Sequence, residues 1–434
     1  MKKGLCYCFL LFTVSLIWSS SSRASGFALY ENSPTGAAVA GAFAATADDP
    51  SAVWYNPAGI TQLDGTQIMT GFTTYTTGGA KLEFENGPTS NSVDDIVPVP
   101  YFYASTKINE KFWFGLGMFS PFGLSAEYEK DWEGRYNTYY SANVAKELNP
   151  NIVYKVNDSL SVGFGVSVQQ FEVEFQQKIN SGVVYQQGKG LTAEQAAADP
   201  LFNHLKGIDI DQKLFADENA EFRYNLSLFY TMNEKWSFGL NYRSEVDYTL
   251  KGDANYANIP APFSTQIYNA AISGDVTLPQ VLWTGIAYKA SPKLTLEVDL
   301  VMTGWSSYQE LKFKLDNGLG TQTVEKNWDD VYSIRFGADY QMTDAFAVRC
   351  GYLFDESPIP DSSIDYAMPS SDRHMFSAGF GYKFGNWTVD SHYAYVTITG
   401  ERDIDARPVE SMYINSRVKE AVSHQFGMSL SYMF

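Results

Sequence analysis

A short turn recurs along this chain, and each copy is followed by a run of alternating apolar residues. Copies read INEKFWFGLG at Ile108, VNDSLSVGFG at Val156, MNEKWSFGLN at Met232, ASPKLTLEVD at Ala290 and MTDAFAVRCG at Met342. Asn, Asp and Pro supply turn geometry, and a period of two is typical of a β-strand whose two faces differ. The pattern therefore predicts a series of antiparallel hairpins.

The connections between these hairpins are much longer and polar. They fall at roughly 86–98, 119–143, 179–220, 252–274, 316–328, 355–372 and 399–416. Short and long connections alternate strictly, as they do in outer-membrane barrels with short periplasmic turns and long extracellular loops. We therefore predict an all-β fold, a transmembrane antiparallel barrel of about fourteen strands, and an aromatic content of 15% is compatible with it. A large soluble secreted β protein is the alternative.

The two faces of each strand differ in chemistry. Leu160, Val162, Phe164, Val166 and Val168 share one face, which we assign to lipid, and small or charged residues occupy the other. The charged residues assigned to the lumen are Arg223, Arg243, Glu245, Asp247, Glu297, Asp299, Arg335, Asp339, Arg349, Arg373, Lys383 and Asp390. We interpret them as a network that fixes a plug, because buried charges need partners; a charged filter for solutes is the alternative.

The first residues indicate export. Lys2 and Lys3 precede an apolar run, and Ser22-Arg23-Ala24 is an acceptable cleavage site, so residues 1–24 are predicted to be a signal peptide. Its removal takes the formal charge from −18 to −21, because Lys2, Lys3 and Arg23 leave with it. A strongly acidic chain makes nucleic acid an unsuitable partner. Of the cysteines, Cys350 alone remains, and its register places it on the lipid side.

Residues 25–65 do not fit the strand pattern. The stretch is rich in Gly, Ala and Pro and holds no sustained alternation. We predict that it is an N-terminal plug in the lumen, followed by the barrel and its loops over residues 66–434. An ordered plug would argue against a water-filled porin.

These features resemble the FadL-type (FadL/TodX) outer-membrane transporters of long-chain fatty acids and aromatic hydrocarbons. The resemblance is carried by ATADDPSAVWYNPAGITQL, MFSPFGL at Met118, LEVDLVMTGWSSYQEL at Leu296 and the block that begins RCGYLFDESPIP at Arg349. It implies a fourteen-stranded barrel with an N-terminal hatch and passive, inward movement of hydrophobic molecules. Long-chain fatty acids are the substrate that we expect, and no cofactor or metal is indicated.

The resemblance also implies roles for particular residues. The hatch motif would comprise Asp48, Asp49, Asn56, Pro57 and Ala58, with the two acids pairing with arginines of the lumen. The third strand would carry a kink that lets substrate leave sideways, and Gly115, Gly117 and Pro121 match it. The residues expected to move are at the hatch N-terminus and include Gly26, Phe27 and Leu29.

Apolar residues in the loops and in the fifth strand are candidates for a ligand groove and pocket. They are Phe119, Phe122, Leu124, Trp132, Phe171, Val173, Phe175, Leu201 and Phe202. The segment from Thr192 to Leu205 is predicted to be helical, and Arg135 or Lys130 would attract a carboxylate. In the fifth strand, the apolar residues change parity after Val168. Either a bulge keeps Phe171, Val173 and Phe175 on the lipid side, or the upper lumen is apolar.

The remaining expectations concern partners and rival functions. We expect contacts with outer-membrane lipid and lipopolysaccharide, delivery to the barrel assembly machinery through the C-terminal Phe434, and a monomer. The rivals are a porin for small polar solutes and a surface adhesin or receptor. A hydrolase that uses His392 beside Asp390 is a third, but no ordered catalytic trio accompanies them, so we do not expect an enzyme.

Overall fold

A computed structural model describes residues 26–76, 78–85, 87–316, 320–405 and 415–434. The predicted signal peptide, 1–24, and Ser25 lie outside the described residues. The strands are β1 (Thr66–Thr76), β2 (Lys81–Phe84), β3 (Thr89–Asn91), β4 (Ile96–Lys107), β5 (Phe112–Phe119), β6 (Gly123–Glu127), β7 (Tyr140–Lys155), β8 (Leu160–Asn180), β9 (Asp209–Thr231), β10 (Trp236–Arg243), β11 (Val246–Ala257), β12 (Ala270–Leu278), β13 (Val281–Ser291), β14 (Leu294–Thr303), β15 (Glu310–Leu315), β16 (Gly320–Glu325), β17 (Val331–Thr343), β18 (Phe346–Asp355), β19 (Arg373–Phe384), β20 (Trp387–Ile398), β21 (Arg402–Asp405), β22 (Asn415–Glu420) and β23 (Val422–Met433).

The helices are short. They are α1 (Pro34–Ala38), α2 (Ala52–Tyr55), α3 (Ser181–Lys189), α4 (Ala193–Ala198) and α5 (Pro200–Leu205), with 3₁₀ turns at Pro57–Gln62, Ala261–Phe263, Trp305–Ser307 and Asp361–Ser363. Within the described ranges, no helix has the length and apolarity that crossing a membrane requires. The predicted helical segment from Thr192 is confirmed as α4 and α5, which are separated at Asp199 because its side chain caps the second helix.

The predicted barrel of fourteen strands is confirmed. Nine wall strands are continuous, namely β1, β4, β7, β8, β9, β18, β19, β20 and β23. Five more are interrupted and consist of β5 with β6, β10 with β11, β12 with β13, β14 with β15, and β16 with β17. All the pairings are antiparallel, and the ring closes where β1 pairs with β23 from Gln67↔Met433 to Tyr75↔Gln425. Because the ring is closed, a strand edge can remain unpaired only where a wall strand is interrupted.

The recurrent turns explain how neighbouring strands are joined at one end, which we call the turn end. The side-chain oxygen of Asn109 accepts the backbone N–H groups of Lys111 and Phe112, at 2.8 and 3.0 Å. Asn157 and Asn233 accept the corresponding groups in their own turns. Each Asn therefore reverses the chain by satisfying two donors that a short loop would leave without partners.

The long connections form a layer at the opposite end, which we call the loop end. A small sheet in the order β21-β22-β2-β3 and the helices α3, α4 and α5 lie outside the barrel sheet. Several aromatic side chains of this layer are buried against one another: Tyr128 stacks on Trp132 with ring centroids 3.9 Å apart, and Trp132 meets Tyr366 edge-on. The layer is therefore a packed cover over that end of the barrel.

The assignment of the two faces of β8 is confirmed in the structure. Val162, Phe164, Val166 and Val168 are exposed on the outer surface, whereas Ser161 and Ser167 are buried. Odd-numbered residues face the lumen along β8 as far as Val173, so Phe171 and Val173 are buried inside. The bulge lies on the neighbouring strand, β9, where pairing jumps from Gln169↔Glu221 to Phe171↔Glu218. The second alternative for the fifth strand is therefore the one observed: the upper lumen is apolar.

Two charges assigned to the lumen are placed differently. Glu245 and Asp247 are exposed, while Val246 and Tyr248 between and beyond them are buried. The reason is the interruption between β10 and β11. In β10 the odd-numbered residues face the lumen, and this alternation does not continue into β11, as the sequence pattern assumed. Conversely, Glu147 on β7, which that pattern did not single out, is buried in the lumen.

Candidate functional site: cavity, hatch and wall interruption

Residues 26–65, the hatch, fill the lumen and are held by hydrogen bonds to the wall. Glu297 and Asp299 on β14 accept the backbone N–H groups of Phe43, Ala44 and Ala45 at 3.0, 3.0 and 2.6 Å, and Glu297 also accepts the Thr46 hydroxyl. Carboxylates that receive several backbone donors make strong, charge-assisted hydrogen bonds. The middle of the hatch is therefore fixed to one side of the barrel.

A second attachment of the hatch, to the nearby strand β9, is made by the motif Asn56-Pro57-Ala58. The Asn56 amide donates to the carbonyl of Ala44 at 2.7 Å and to that of Leu228, on β9, at 3.0 Å. The backbone N–H of Ala58 donates to the Ser227 hydroxyl at 3.0 Å, and Pro57 begins a 3₁₀ turn, where its missing N–H costs nothing. The motif therefore joins two hatch segments to the wall.

The two acids of the predicted hatch motif do not pair with arginines of the lumen. No ion pair between described residues involves Asp48 or Asp49; Asp49 instead accepts the N–H and hydroxyl of Ser51. Two of the luminal arginines bind hatch carbonyl groups, since Arg243 donates to Val53 and Trp54, and Arg335 donates to Ala40. Arg349 and Arg373 pair with acids of the wall. The prediction was wrong because hatch carbonyl groups and acids of the wall take the guanidinium donors, and a sequence pattern does not show these contacts.

A cavity of ≈330 Å³ lies between the hatch N-terminus and the loop layer. This volume is at the lower end of the range for ligand pockets, about 300 to 1,000 Å³. Its apolar lining consists of Phe27, Leu124, Val173, Phe175, Leu214, Tyr308, Leu311, Phe313, Val324, Trp328, Ala367 and Met368. The other eight lining residues are polar or charged, namely Asn137, Ser141, Asn143, Gln177, Gln322, Thr323, Lys326 and Asp365. Such a lining suits a ligand that is mainly apolar, whose orientation the polar groups would fix.

The charged groups of the cavity are Lys326 and Asp365. The Lys326 ammonium lies 2.8 Å from an Asp365 carboxylate oxygen, and both side chains are 11% exposed. Tyr308 is nearby: burial raises the pKa of its hydroxyl and the Lys326 ammonium opposes this rise, so the phenol is neutral at neutral pH. The cavity therefore contains a compensated ion pair within an apolar lining.

Phe27 forms the part of this cavity that belongs to the hatch. Its ring lies 4.7 Å from Trp305, 5.8 Å from Trp328 and 6.0 Å from Phe122 between centroids. Gly26, at a φ of +63°, lets the chain pass close beside them, since a Cβ there would lie 2.7 Å from Trp305 and 2.8 Å from Trp328. The aromatic cluster around Phe27 therefore closes the cavity on the side of the hatch N-terminus.

The barrel wall is interrupted beside the hatch N-terminus. The third wall strand stops at Phe119 and resumes at Gly123, with Pro121 between the two segments. β4 pairs with this strand only from Lys107 up to Phe102↔Met118, although β4 itself continues to Ile96. Above the interruption, Val93 donates to the Glu127 carbonyl at 2.8 Å. We call the unpaired region between these limits the window.

Two prolines lie on the edge of β4 that faces the window. The N–H of Lys107 donates to Gly65, beside β1, and that of Ile108 donates to Phe112, beside β5. The backbone N–H groups of successive strand residues point to opposite neighbouring strands, so those of the even-numbered residues of β4 face the third strand. Pro98 and Pro100 occupy two of these positions, where β4 has no pairing with the third strand. The window edge therefore lacks the N–H donors that a free strand edge would expose.

The hatch N-terminus pairs with the wall at the interruption. Ala28 and Phe122 form an isolated antiparallel bridge, with Leu29 donating to the Pro121 carbonyl at 2.9 Å and Gly123 donating to the Phe27 carbonyl at 2.8 Å. Leu29 also covers Gly123, where a Cβ would lie 2.8 Å from its side chain. The same few residues therefore close the base of the cavity and occupy the free edge of the third strand.

The two predicted glycines of the third strand have a different setting from Pro121. Gly115 pairs with Ser105 and Asn151, and Gly117 pairs with Tyr103 and Asn149, so the ladder is continuous at both. A Cβ on either glycine would lie 2.8 to 3.0 Å from the Val53 side chain of the hatch. These glycines permit close approach of the hatch, and the interruption begins above them.

The predicted pocket residues fall into three groups. Leu124, Val173 and Phe175 line the cavity, and Phe122 and Phe171 contact Phe27 beside it. Phe119 lies deeper, against Trp54 of the hatch, and Trp132 is buried within the loop layer. Leu201 and Phe202, on α5, are not among the residues that line the cavity. The predicted residues therefore do not form a single groove.

The sequence argument missed much of the cavity lining. Tyr308, Phe313 and Trp328 come from residues 305–328, of which the sequence pattern assigns only 316–328, as a polar connection. Trp305, Tyr308 and Trp328 in one short stretch were the available signal, because three aromatic residues seldom remain exposed in a loop.

His392 is buried in the lumen, and neither ring nitrogen has a hydrogen-bond partner among the described residues. A hydrolytic triad requires the histidine to be bonded to both a nucleophile and an acid. The hydrolase alternative therefore gains no support from this geometry.

The model of a protein family described as outer membrane protein transport protein (OMPP1/FadL/TodX) matches residues 15–434. The chain belongs to this family. The long-chain fatty acid transport protein of Escherichia coli K12 is 29% identical over 418 residues, which cover 89% of this chain and 91% of that protein. The predicted family resemblance and the outer-membrane location are thereby confirmed.

Two solved structures share the fold of this chain. A FadL homologue of Pseudomonas aeruginosa matches with a TM-score of 0.83 at 19% identity, over 94% of this chain and all of that one. The toluene transporter TodX of Pseudomonas putida matches with a TM-score of 0.66 at 16% identity, over 89% and 94% of the two chains. At these identities the likeness concerns the fold alone.

Proposed function

We propose that this FadL-family protein moves long-chain fatty acids, and hydrophobic molecules of similar size, inward across the outer membrane by passive diffusion. A molecule would enter the cavity from the loop end, displace the hatch N-terminus, and leave sideways through the window into the membrane. The single observation that carries this proposal is the bridge between Ala28 and Phe122, because it couples the base of the cavity to the interrupted wall.

Two relatives support the substrate class in different ways. The Escherichia coli relative is named for long-chain fatty acids, and the Pseudomonas putida structure is that of a toluene transporter. The apolar lining of the cavity suits either kind of molecule. Almost all of the hatch residues that the structure describes are buried in the lumen, which disfavours the porin alternative because a porin needs an open lumen.

We further propose that the protein has no catalytic role and works as a monomer among outer-membrane lipids and lipopolysaccharide. The outward side chains of the wall, such as Phe164, Leu226 and Phe376, are apolar and exposed, as contact with lipid requires. Phe434 is 70% exposed at the end of the last strand, where the barrel assembly machinery could bind it.

The cavity is tested by Phe175→Glu. A carboxylate in this lining should weaken binding of a fluorescent fatty acid to the purified protein roughly 10-fold or more, because the acyl chain would bury the new charge. Leu201→Glu is the matched control, since Leu201 is 38% exposed on α5 and does not line the cavity. Equal loss in the two variants, or no loss in the first, would contradict the proposed site.

A further inference from the structure

Arg223, on β9, is a buried cation whose hydrogen-bonding capacity is unused. Its side chain is 1% exposed, and none of its three guanidinium nitrogens has a hydrogen-bond partner in the described part of the chain. Its nearest acid is Glu147, with Nη1 and Oε2 3.6 Å apart, which is too long for a hydrogen bond. Arginine cannot lose its proton in a protein, so the charge persists.

Glu147 compensates this charge only in part, because it lies 3.6 Å away and its oxygens accept hydrogen bonds from other groups. One oxygen accepts the Ser167 hydroxyl at 2.6 Å and Arg243 at 2.9 Å. The other accepts the Gln169 amide at 2.7 Å. Two arginines therefore share one carboxylate, and Arg243 has the better geometry. A buried guanidinium in this state is unfavourable unless an anion binds to it at some stage.

The position of Arg223 is on the proposed route. Its guanidinium carbon lies 6.0 Å from the centroid of the Phe122 ring, and Phe122 is the wall residue that bridges to Ala28. Phe122 also contacts Phe27, which lines the cavity. Arg223 is therefore at the junction of the cavity, the hatch N-terminus and the window, between the polar cluster around Glu147 and the Phe122 ring.

We propose that Arg223 binds the carboxylate of a single-chain amphiphile once the hatch N-terminus has moved, with the acyl tail extending up into the cavity. This inference rests on the proposed function and narrows its substrate class to hydrophobic acids. A guanidinium offers two parallel donors to a carboxylate, which matches the unused capacity of Arg223. A neutral hydrocarbon would leave the guanidinium of Arg223 without hydrogen-bond partners.

Arg135 differs from Arg223 because its hydrogen-bond donors already have partners. Arg135, the loop residue predicted to attract a carboxylate, donates to Asp209 at 3.0 Å, to the Tyr136 hydroxyl at 2.9 Å and to the backbone of Asp131 and Trp132. Its donors are occupied in the folded chain. Arg135→Met is therefore a matched control that removes an arginine whose capacity is already used.

The test measures binding of oleate and of oleyl alcohol to the purified full-length barrel and to its variants. Arg223→Met should weaken oleate binding about 10- to 100-fold, the loss expected for hydrogen bonds to a charged group, and leave oleyl alcohol unchanged. Arg223→Lys should retain part of the oleate affinity, and Arg135→Met all of it. The Arg223→Met barrel should melt no lower than the original, because an uncompensated cation is removed.

Unchanged oleate binding in Arg223→Met, or an equal loss for oleate and oleyl alcohol, would overturn the carboxylate site while leaving the transport proposal intact. A native protein that binds neither ligand would overturn both.

Discussion

A disulfide between Ala28→Cys and Phe122→Cys should stop uptake of labelled oleate in intact cells, and a reductant should restore it. The two residues form a bridge flanked by hydrogen bonds on either side, so they are a pair that does not itself exchange hydrogen bonds. Such pairs have Cα atoms about 4.5 Å apart, within the range that a disulfide spans. The bond would hold the hatch N-terminus on the wall, closing both the cavity base and the window.

The expected loss is at least about 10-fold, because a covalent bond removes the open state rather than shifting its population slightly. Cys350 is exposed on the barrel and should first be replaced by Ser, so that the engineered pair is the only thiol pair in the mature chain. The single variants Ala28→Cys and Phe122→Cys control for the side-chain changes themselves. Transport that continues through the oxidised double variant would show that the hatch N-terminus need not move.

The second large effect is expected from removal of the hatch anchor. Glu297→Ala combined with Asp299→Ala leaves the N–H groups of Phe43, Ala44 and Ala45 without their acceptors. Each buried donor without a partner costs about 1 to 3 kcal/mol, so the middle of the hatch should detach from β14. We expect the conductance of the barrel in a planar lipid bilayer to rise from near zero to that of an open pore.

Asp339→Asn provides the matched control for this experiment. Asp339 is a luminal acid that pairs with Arg349 on the wall, and Arg349 has a second partner in Asp390. Its replacement should therefore leave the hatch in place and the conductance low. Equal conductance in the two variants, with both barrels assembled, would mean that the two acids on β14 do not retain the hatch.

The barrel was predictable because its determinants are local. The short turns carry Asn, Ser or Thr oxygens that accept backbone donors two and three residues later, and each strand shows its faces by alternation. Phe171 and Val173 show where this reasoning ends: alternation revealed a change at this point, and the bulge that accompanies it is on β9, a different strand. Periodicity in one strand cannot place a bulge in its neighbour.

The site was less predictable, since it depends on contacts between distant segments. The bridge from Ala28 to Phe122 and the hydrogen bonds from the hatch to Glu297 and Asp299 join residues that no local pattern relates. Asp48 and Asp49 illustrate the resulting error, because charge alone suggests arginine partners for them, and those arginines bind hatch carbonyl groups or acids of the wall instead. Gly115 and Gly117 match the kink that the family resemblance implies, whereas only the three-dimensional structure shows that they lie against Val53.

The most direct test of lateral transport is a photoreactive fatty acid with a diazirine near its tail, supplied to intact cells and mapped by mass spectrometry. The proposed route predicts cross-links to the cavity lining, to Phe27 and Leu29, and to the window edges at 96–101 and 120–123. Cross-links that instead run along the turn-end face of the hatch, at Thr61 and Gln62, with none at the window edges, would show that substrate passes straight through the barrel.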